Sequence, residues 1–186
     1  TNPRPLLTHL DYDRACKTSW EVHCIKQATV QALAGHRAVQ TAFQAGLSEF
    51  EMGLMFLAAC GQTDAELPYP AIVAMNRNAA TLHYQHRDRE RLPASERHSL
   101  LLDAGASFAG YASDITRTHA ARRGDFATMV RDMARSQQRL CAQVKPGVAF
   151  PDLQLDAFGT LAELLARWGL VRMSAEDIVE ARIIDS

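Results

Sequence analysis

Apolar and polar positions along this chain change rhythm three times, and the order of the rhythms predicts its elements. Ser19 to Ala45 is rich in Ala, Gln, Val and Leu and reads as one long helix, opened by a Thr18/Glu21 capping box and ended by Gly46. Ser48 and Glu51 make a second capping box, and the helix behind it places Phe50, Leu54 and Leu57 on one face and ends near Gly61. From Pro68 the period shortens. Ala71 to Met75 is a strand candidate, Asn76-Arg77-Asn78 a turn, and Ala80 to Tyr84 a further strand candidate. Leu100 to Leu102, and Ile115 with Thr116 and Thr118, have strand composition. A helical period then returns. Phe126, Met129, Val130, Met133, Gln137 and Leu140 share one stripe, on which the methionines act as core filler. Lys145-Pro146-Gly147 breaks that helix, and Leu153, Ala157, Leu161, Leu164 and Trp168 form the apolar face of the next.

The two helix pairs look like copies. Helix, Gly46 and Glu51-Met52 are echoed by helix, Gly147 and Asp152-Leu153, each 101 residues later. Duplication of this kind decides architecture. It predicts an α+β fold with one full half, helices plus antiparallel sheet, over 18–120, and the opening of a second, pseudo-symmetric half over 121–186. Residues 1–17, with Pro3 and Pro5, read as an extended lead-in.

Composition adds mainly exclusions. With 186 residues, 47% hydrophobic and 22% charged, the chain is long enough for one domain with a real core. A net charge of −1 gives no reason to expect nucleic acid or an anionic membrane as partner. No apolar run approaches the roughly 18 residues that span a bilayer, and the start TNPRPLLTHL lacks the layout of a signal peptide. Cys16, Cys24, Cys60 and Cys141 are scattered and read as reduced, mostly buried thiols of a cytoplasmic protein. Acids and bases interleave over Gln85 to His98, which reads as a solvated connector. A start at Thr1 and a stop in mid-pattern at Ile184-Asp185-Ser186 suggest a piece of a longer polypeptide.

The chemistry concentrates in LLLDAGASFAGYASDITRTH, from Leu100 to His119. A hairpin turning about Phe108 and Ala109 sets Asp103 directly opposite Asp114, with Cβ atoms about 4.5–5.5 Å apart. Two carboxylates so placed repel each other. The pair is tolerated if one is protonated, if water separates them, or if a cation lies between, and two metal ions about 3.5–4 Å apart need such a pair. A solvated strand face is the competing reading. Burial is favoured by the apolar approach through Leu100 to Leu102, and Gly105 leaves room beside the first acid for a ligand.

That stretch, together with IVAMNRNAATLHY and the repeated helix pair carrying AGLSEFEM and KPGVAFPD, resembles the catalytic domain of the pita-bread metallopeptidases, in particular their proline dipeptidase (Xaa-Pro dipeptidase) branch. The resemblance covers nearly the whole chain and implies the pita-bread fold. It implies hydrolysis of Xaa-Pro dipeptides at a dinuclear site, with aminopeptidase P or an organophosphorus acid anhydrolase-like hydrolase as alternatives. The metals implied are two divalent ions, Mn²⁺ first, with Zn²⁺ or Co²⁺ also suited. By resemblance Asp103 and Asp114 are the first two metal ligands, Asp114 bridging both ions, and His83 contacts substrate. A packed strand histidine is the competing reading of His83. His86, His98 and His119 match no assigned position, and His119 is a candidate for a place behind the ligands.

The family's remaining ligands, a histidine in a His-Gly-Leu-Gly-His type segment and two glutamates, do not occur before Ser186; Glu176 and Glu180 read as a solvated helix face. The expected partners are a dipeptide ending in proline and a second copy in a homodimer, with no nucleic acid and no membrane. With two of five ligands, the chain alone is expected to be catalytically silent, a structural piece with an uncovered apolar face, and the enzyme reading belongs to the parent protein.

Overall fold

Residues 3–182 and 184 are described by a computed structural model; Thr1, Asn2, Ile183, Asp185 and Ser186, on which the reading of the chain's ends falls, lie outside the described residues. Two compact units follow one another, the first ending at Ala121 and the second starting at Arg122.

The first unit opens with a helix, not an extended lead-in: α1 spans Arg4–Ala15. Pro3 stands at its N-cap and Pro5 in its first turn, where a missing N–H costs nothing because that donor has no helical partner anyway. α1 buries none of its residues. α2 (Ser19–Ala45) and α3 (Glu49–Cys60) have the predicted bounds, because both capping boxes form and both C-cap glycines, Gly46 at φ +84° and Gly61 at φ +68°, adopt the left-handed conformation. The two helices pack closely at Gly35. A Cβ there would meet the Phe56 ring at 2.5 Å and the Cys60 sulfur at 2.6 Å. That contact chooses the buried stripe of α3, which is Glu49, Met52, Gly53, Phe56 and Cys60 rather than Phe50, Leu54 and Leu57. Leu54 is exposed. α3 is apolar almost all round, so periodicity alone could not select a face.

Three antiparallel strands form the sheet in the order β1 (Ile72–Met75), β2 (Ser99–Asp103), β5 (Thr116–Ala120). Val73 and Met75 with Leu100 and Leu102 share a core with Ala32, Val39 and Phe43 of α2 and Met52 and Phe56 of α3. The opposite face carries Ile72, Ala74 and Leu101, packed with Tyr84. Ala80 to Tyr84 is not a strand. Asn76–Ala80 is a 3-10 turn, Thr81 to His83 turns again, and Asn76, at φ +50°, leads the chain out of the sheet. The Asn76 side chain accepts from the His98 and Ser99 N–H groups, a local alternative to a ladder.

The hairpin also differs from expectation by one residue. β3 (Ser107–Phe108) and β4 (Tyr111–Ala112) pair Phe108 with Tyr111, so the loop is Ala109-Gly110, at φ +49° and +82°. Both central residues have positive φ, as a type I′ turn requires, and Gly suits the second.

Nor is 85–98 a merely solvated connector. Arg87 donates to Ala71 O at 3.1 Å and Asp64 at 3.4 Å, Arg97 to Phe43 O at 2.7 Å, Arg91 to Glu51, and the Arg89 guanidinium lies 3.8 Å from the Phe50 ring centre. Its arginines fasten the loop to α2, to α3 and to the chain between α3 and β1. Of the cysteines, Cys24 and Cys60 are buried, Cys16 and Cys141 exposed, and all four are free.

The second unit holds α4 (Asp125–Gln143), α5 (Phe150–Arg167) and α6 (Ala175–Glu180), with α5 packed against both others. α3 begins at Glu49 and α5 at Phe150, each three residues beyond a glycine of positive φ. Few side chains are buried: Thr160, Ala162 and Ile178. Gln143 donates to Asp156 at 2.9 Å and Arg167 to Asp132 at 3.0 Å. Glu176 and Glu180 are exposed, as read from the sequence.

Candidate functional site

Asp103 ends β2 and Asp114 lies between β4 and β5. In the observed register Asp103 faces Thr116, so Asp114 is its diagonal rather than direct neighbour. The carboxylates still converge. The Tyr69 hydroxyl lies 2.9 Å from Asp103 Oδ1 and 2.8 Å from Asp114 Oδ1. A phenol has one proton, so it donates to one acid at a time, and the pair retains free acceptor capacity. Burial, then the bonds to both acids, push the Tyr69 hydroxyl well above an ordinary phenol. Asp103 is half-buried and Asp114 exposed.

The hairpin between the acids is closed by backbone proximity. A Cβ on Gly105 would lie 1.8 Å from the Ser113 carbonyl oxygen. The space beside Asp103 that glycine leaves is therefore filled by the chain itself, not kept for a ligand. Ser113 is buried; its hydroxyl accepts from Ala106 N–H at 3.0 Å and donates to Ala28 O at 3.2 Å, which fastens the hairpin to α2. Gln62, just past α3, pairs with the Ser107 backbone through both amide atoms, at 2.5 and 3.1 Å.

His83 is not a packed strand histidine. It is exposed in the turn after the 3-10 segment. Its neighbour Tyr84 packs on the sheet face that holds Ile72, and Ile72 pairs with Asp103. His83 makes no hydrogen bond to either acid among the described residues. His119 lies elsewhere. It pairs with Leu100, and opposed residues share a face, so it belongs to the helix side of the sheet, away from Asp103. There it neighbours His36, whose Nε2 lies 3.0 Å from Ala104 O. Burial above all lowers the proton affinity of both imidazoles, and the Arg117 charge adds to it.

Tyr69 and Glu49 are the residues that sequence reasoning missed. Tyr69 had a faint signal: in Pro68-Tyr69-Pro70 the second proline holds it extended at the mouth of β1. Among the described residues no group of three or more His, Cys, Asp or Glu gathers to hold a metal, so the acid pair is a partial ligand set. No described helix is long and apolar enough to cross a membrane.

Residues 23–176 match metallopeptidase family M24. The Xaa-Pro dipeptidase of Aeromonas hydrophila subsp. hydrophila is 44% identical over 182 residues, which cover 98% of this chain and 41% of that protein. The Xaa-Pro dipeptidase of Edwardsiella ictaluri is 46% identical over 165 residues, covering 88% and 37%. The chain spans about two fifths of the length of the curated relatives it matches. Among solved structures, E. coli aminopeptidase P in its low-pH form has a TM-score of 0.78 at 19% identity, covering 89% of this chain and 38% of that one. That likeness is one of fold, the pita-bread arrangement of helices and antiparallel sheet.

Proposed function

This chain belongs to metallopeptidase family M24, and from that membership we propose that the protein carrying it hydrolyses Xaa-Pro dipeptides, with Asp103 and Asp114 as metal ligands. One observation carries the reading: two carboxylates held to a single phenolic hydroxyl, at 2.9 and 2.8 Å. An anion pair with one shared proton donor is under-compensated, and a cation relieves it. The oxygen donors suit a hard divalent ion, and Mn²⁺ is the metal we propose, ahead of Zn²⁺ or Co²⁺. When bound, a divalent pair supplies an acidified water and polarises the scissile carbonyl.

The chain's own residues do the rest of the local work. Tyr69 keeps the two acids together. His83, exposed in the turn before Tyr84, is the residue we propose to hydrogen-bond the substrate. The bond before proline is a tertiary amide without an N–H, so the site has no donor to satisfy there. The remaining ligands, one histidine and two glutamates, would come from chain outside these residues. We take the first unit as the first half of the fold and the second unit as the opening of the other half, preceded by α1 as lead-in. The cytoplasm is the proposed compartment and a homodimer the proposed assembly.

The test is hydrolysis of an Xaa-Pro dipeptide by the full protein with Mn²⁺ added. Asp103→Asn and Asp114→Asn are each expected to cost more than the 10- to 100-fold typical of residues that only orient ligands, roughly 100-fold or more. Wild-type rates in either variant refute the ligand assignment. Comparing the dipeptide with a longer Xaa-Pro peptide separates a dipeptidase from an aminopeptidase P.

A further inference from the structure

Glu49, in the first turn of α3, is fully buried. A buried carboxylate is costly unless it is bonded, and this one has four donors. Oε1 accepts from the Met75 N–H at 2.6 Å and from Asn78 Nδ2 at 2.9 Å. Oε2 accepts from the Tyr84 hydroxyl at 2.7 Å and from the Asp88 N–H at 2.8 Å. The division follows chain position: Oε1 holds groups that precede His83, and Oε2 holds groups that follow it. The helix N-terminus adds partial positive charge that favours the anion. Phe50, the next residue, gives its N–H to Asp88 O at 3.0 Å, so the helix start and the loop are joined twice.

The held segment has no strand ladder of its own. From Asn76 to Asp88 it runs as a 3-10 turn, a second turn and irregular chain in which Arg87 has φ +53°. Its register therefore depends on side chains. Tyr84, pinned by Glu49 through its hydroxyl, lays its ring against Ile72 and Ala74 on the sheet face of Asp103. His83 is the residue immediately before it.

We propose that Glu49 is the positioning residue for His83: one carboxylate closes the loop around the histidine and sets where it meets the substrate. This rests on the reading of His83 as a substrate contact. It deepens that reading by naming what fixes the histidine, and it assigns a role to an acid outside the metal site.

The experiment uses the full protein with Mn²⁺ and an Xaa-Pro dipeptide. Tyr84→Phe removes one of the four donors and keeps the ring, and it is gentler than Glu49→Gln, which turns an amide NH₂ against donors. Each is expected to lower kcat/KM by about 10- to 100-fold, the cost of a small misplacement. In a His83→Ala background, Tyr84→Phe is expected to have no further effect, because both changes remove one function. Amides over 76–88 should exchange with solvent faster in Tyr84→Phe while those of β2 and β5 do not. Unchanged exchange and kinetics in Tyr84→Phe overturn the proposal. Additive losses in the double variant overturn it too, leaving the role of His83 intact. A wild-type rate in His83→Ala overturns the reading of His83 and this inference together.

Discussion

Tyr69 and the two acids it joins show how much a single side chain can change a site. Asp103 and Asp114 are visible in the sequence because acids interrupt apolar, β-branched runs. Tyr69 shows there only as an extended residue between two prolines, since its partners lie 34 and 45 positions away. The same holds behind the sheet, where His119 Nε2 is buried without a hydrogen-bond partner among the described residues, beside the buried His36 ring. Burial depresses both histidines below their ordinary 6.5. The folded state therefore binds fewer protons than the unfolded state at mildly acid pH. Stability from keeping these rings neutral is full above 6.5 and falls as pH drops below it. Thermal melts taken from about pH 7.5 to about pH 5.5 should show that decline, and His119→Phe should flatten it. An unchanged slope in the variant counts against the pair.

Helices opened by a capping box were legible, whereas Arg4–Ala15, which has no side-chain cap, was not. Capping boxes and C-cap glycines are local devices, read from four or five neighbouring residues, and α2 and α3 begin and end where they say. Glu51 is an example: its carboxyl caps Ser48 and, held mainly by Arg91, sits at about 2, well below the usual carboxylate. The hairpin was legible as a hairpin but not in register: Gly110 and the backbone constraints around it favour Ala109-Gly110 over Phe108-Ala109 as the turn. The Gly105–Ser113 approach is one of those constraints. Gly105→Ala would drive a Cβ into the Ser113 carbonyl, 1.8 Å away, and backbone cannot step aside as a side chain tip can. The expected loss is about 3 kcal/mol or more, at the large end of single substitutions. A denaturant midpoint equal to wild type would contradict that geometry.

On the reading of Asp103 and Asp114 as ligands, the 186 residues would carry part of a metal site. The first unit holds both acids, and the second buries little and exposes Phe150 and Leu155. Two carboxylates alone bind a divalent ion weakly, so the isolated chain is expected to retain no stoichiometric metal after desalting, as measured by elemental analysis. Two tightly held ions per chain would mean that the remaining ligands are not needed. The same reasoning predicts no dipeptide hydrolysis by the isolated chain, whatever the activity of the protein that carries it.

The limits of α2 and α3, the strand stretches at β1, β2 and β5 and the two acids of the hairpin could be read from the order of residues, the helix limits because capping contacts lie within a turn of chain; Ala80 to Tyr84 reads as strand and is not. The packed fold alone selected the buried stripe of α3, the hairpin register, the helical form of Arg4–Ala15 and the grip of Glu49 on donors 26 to 39 positions away. Such contacts leave no period in the sequence. They arise only when helix and sheet close on each other and a buried charge must find donors wherever the chain happens to pass.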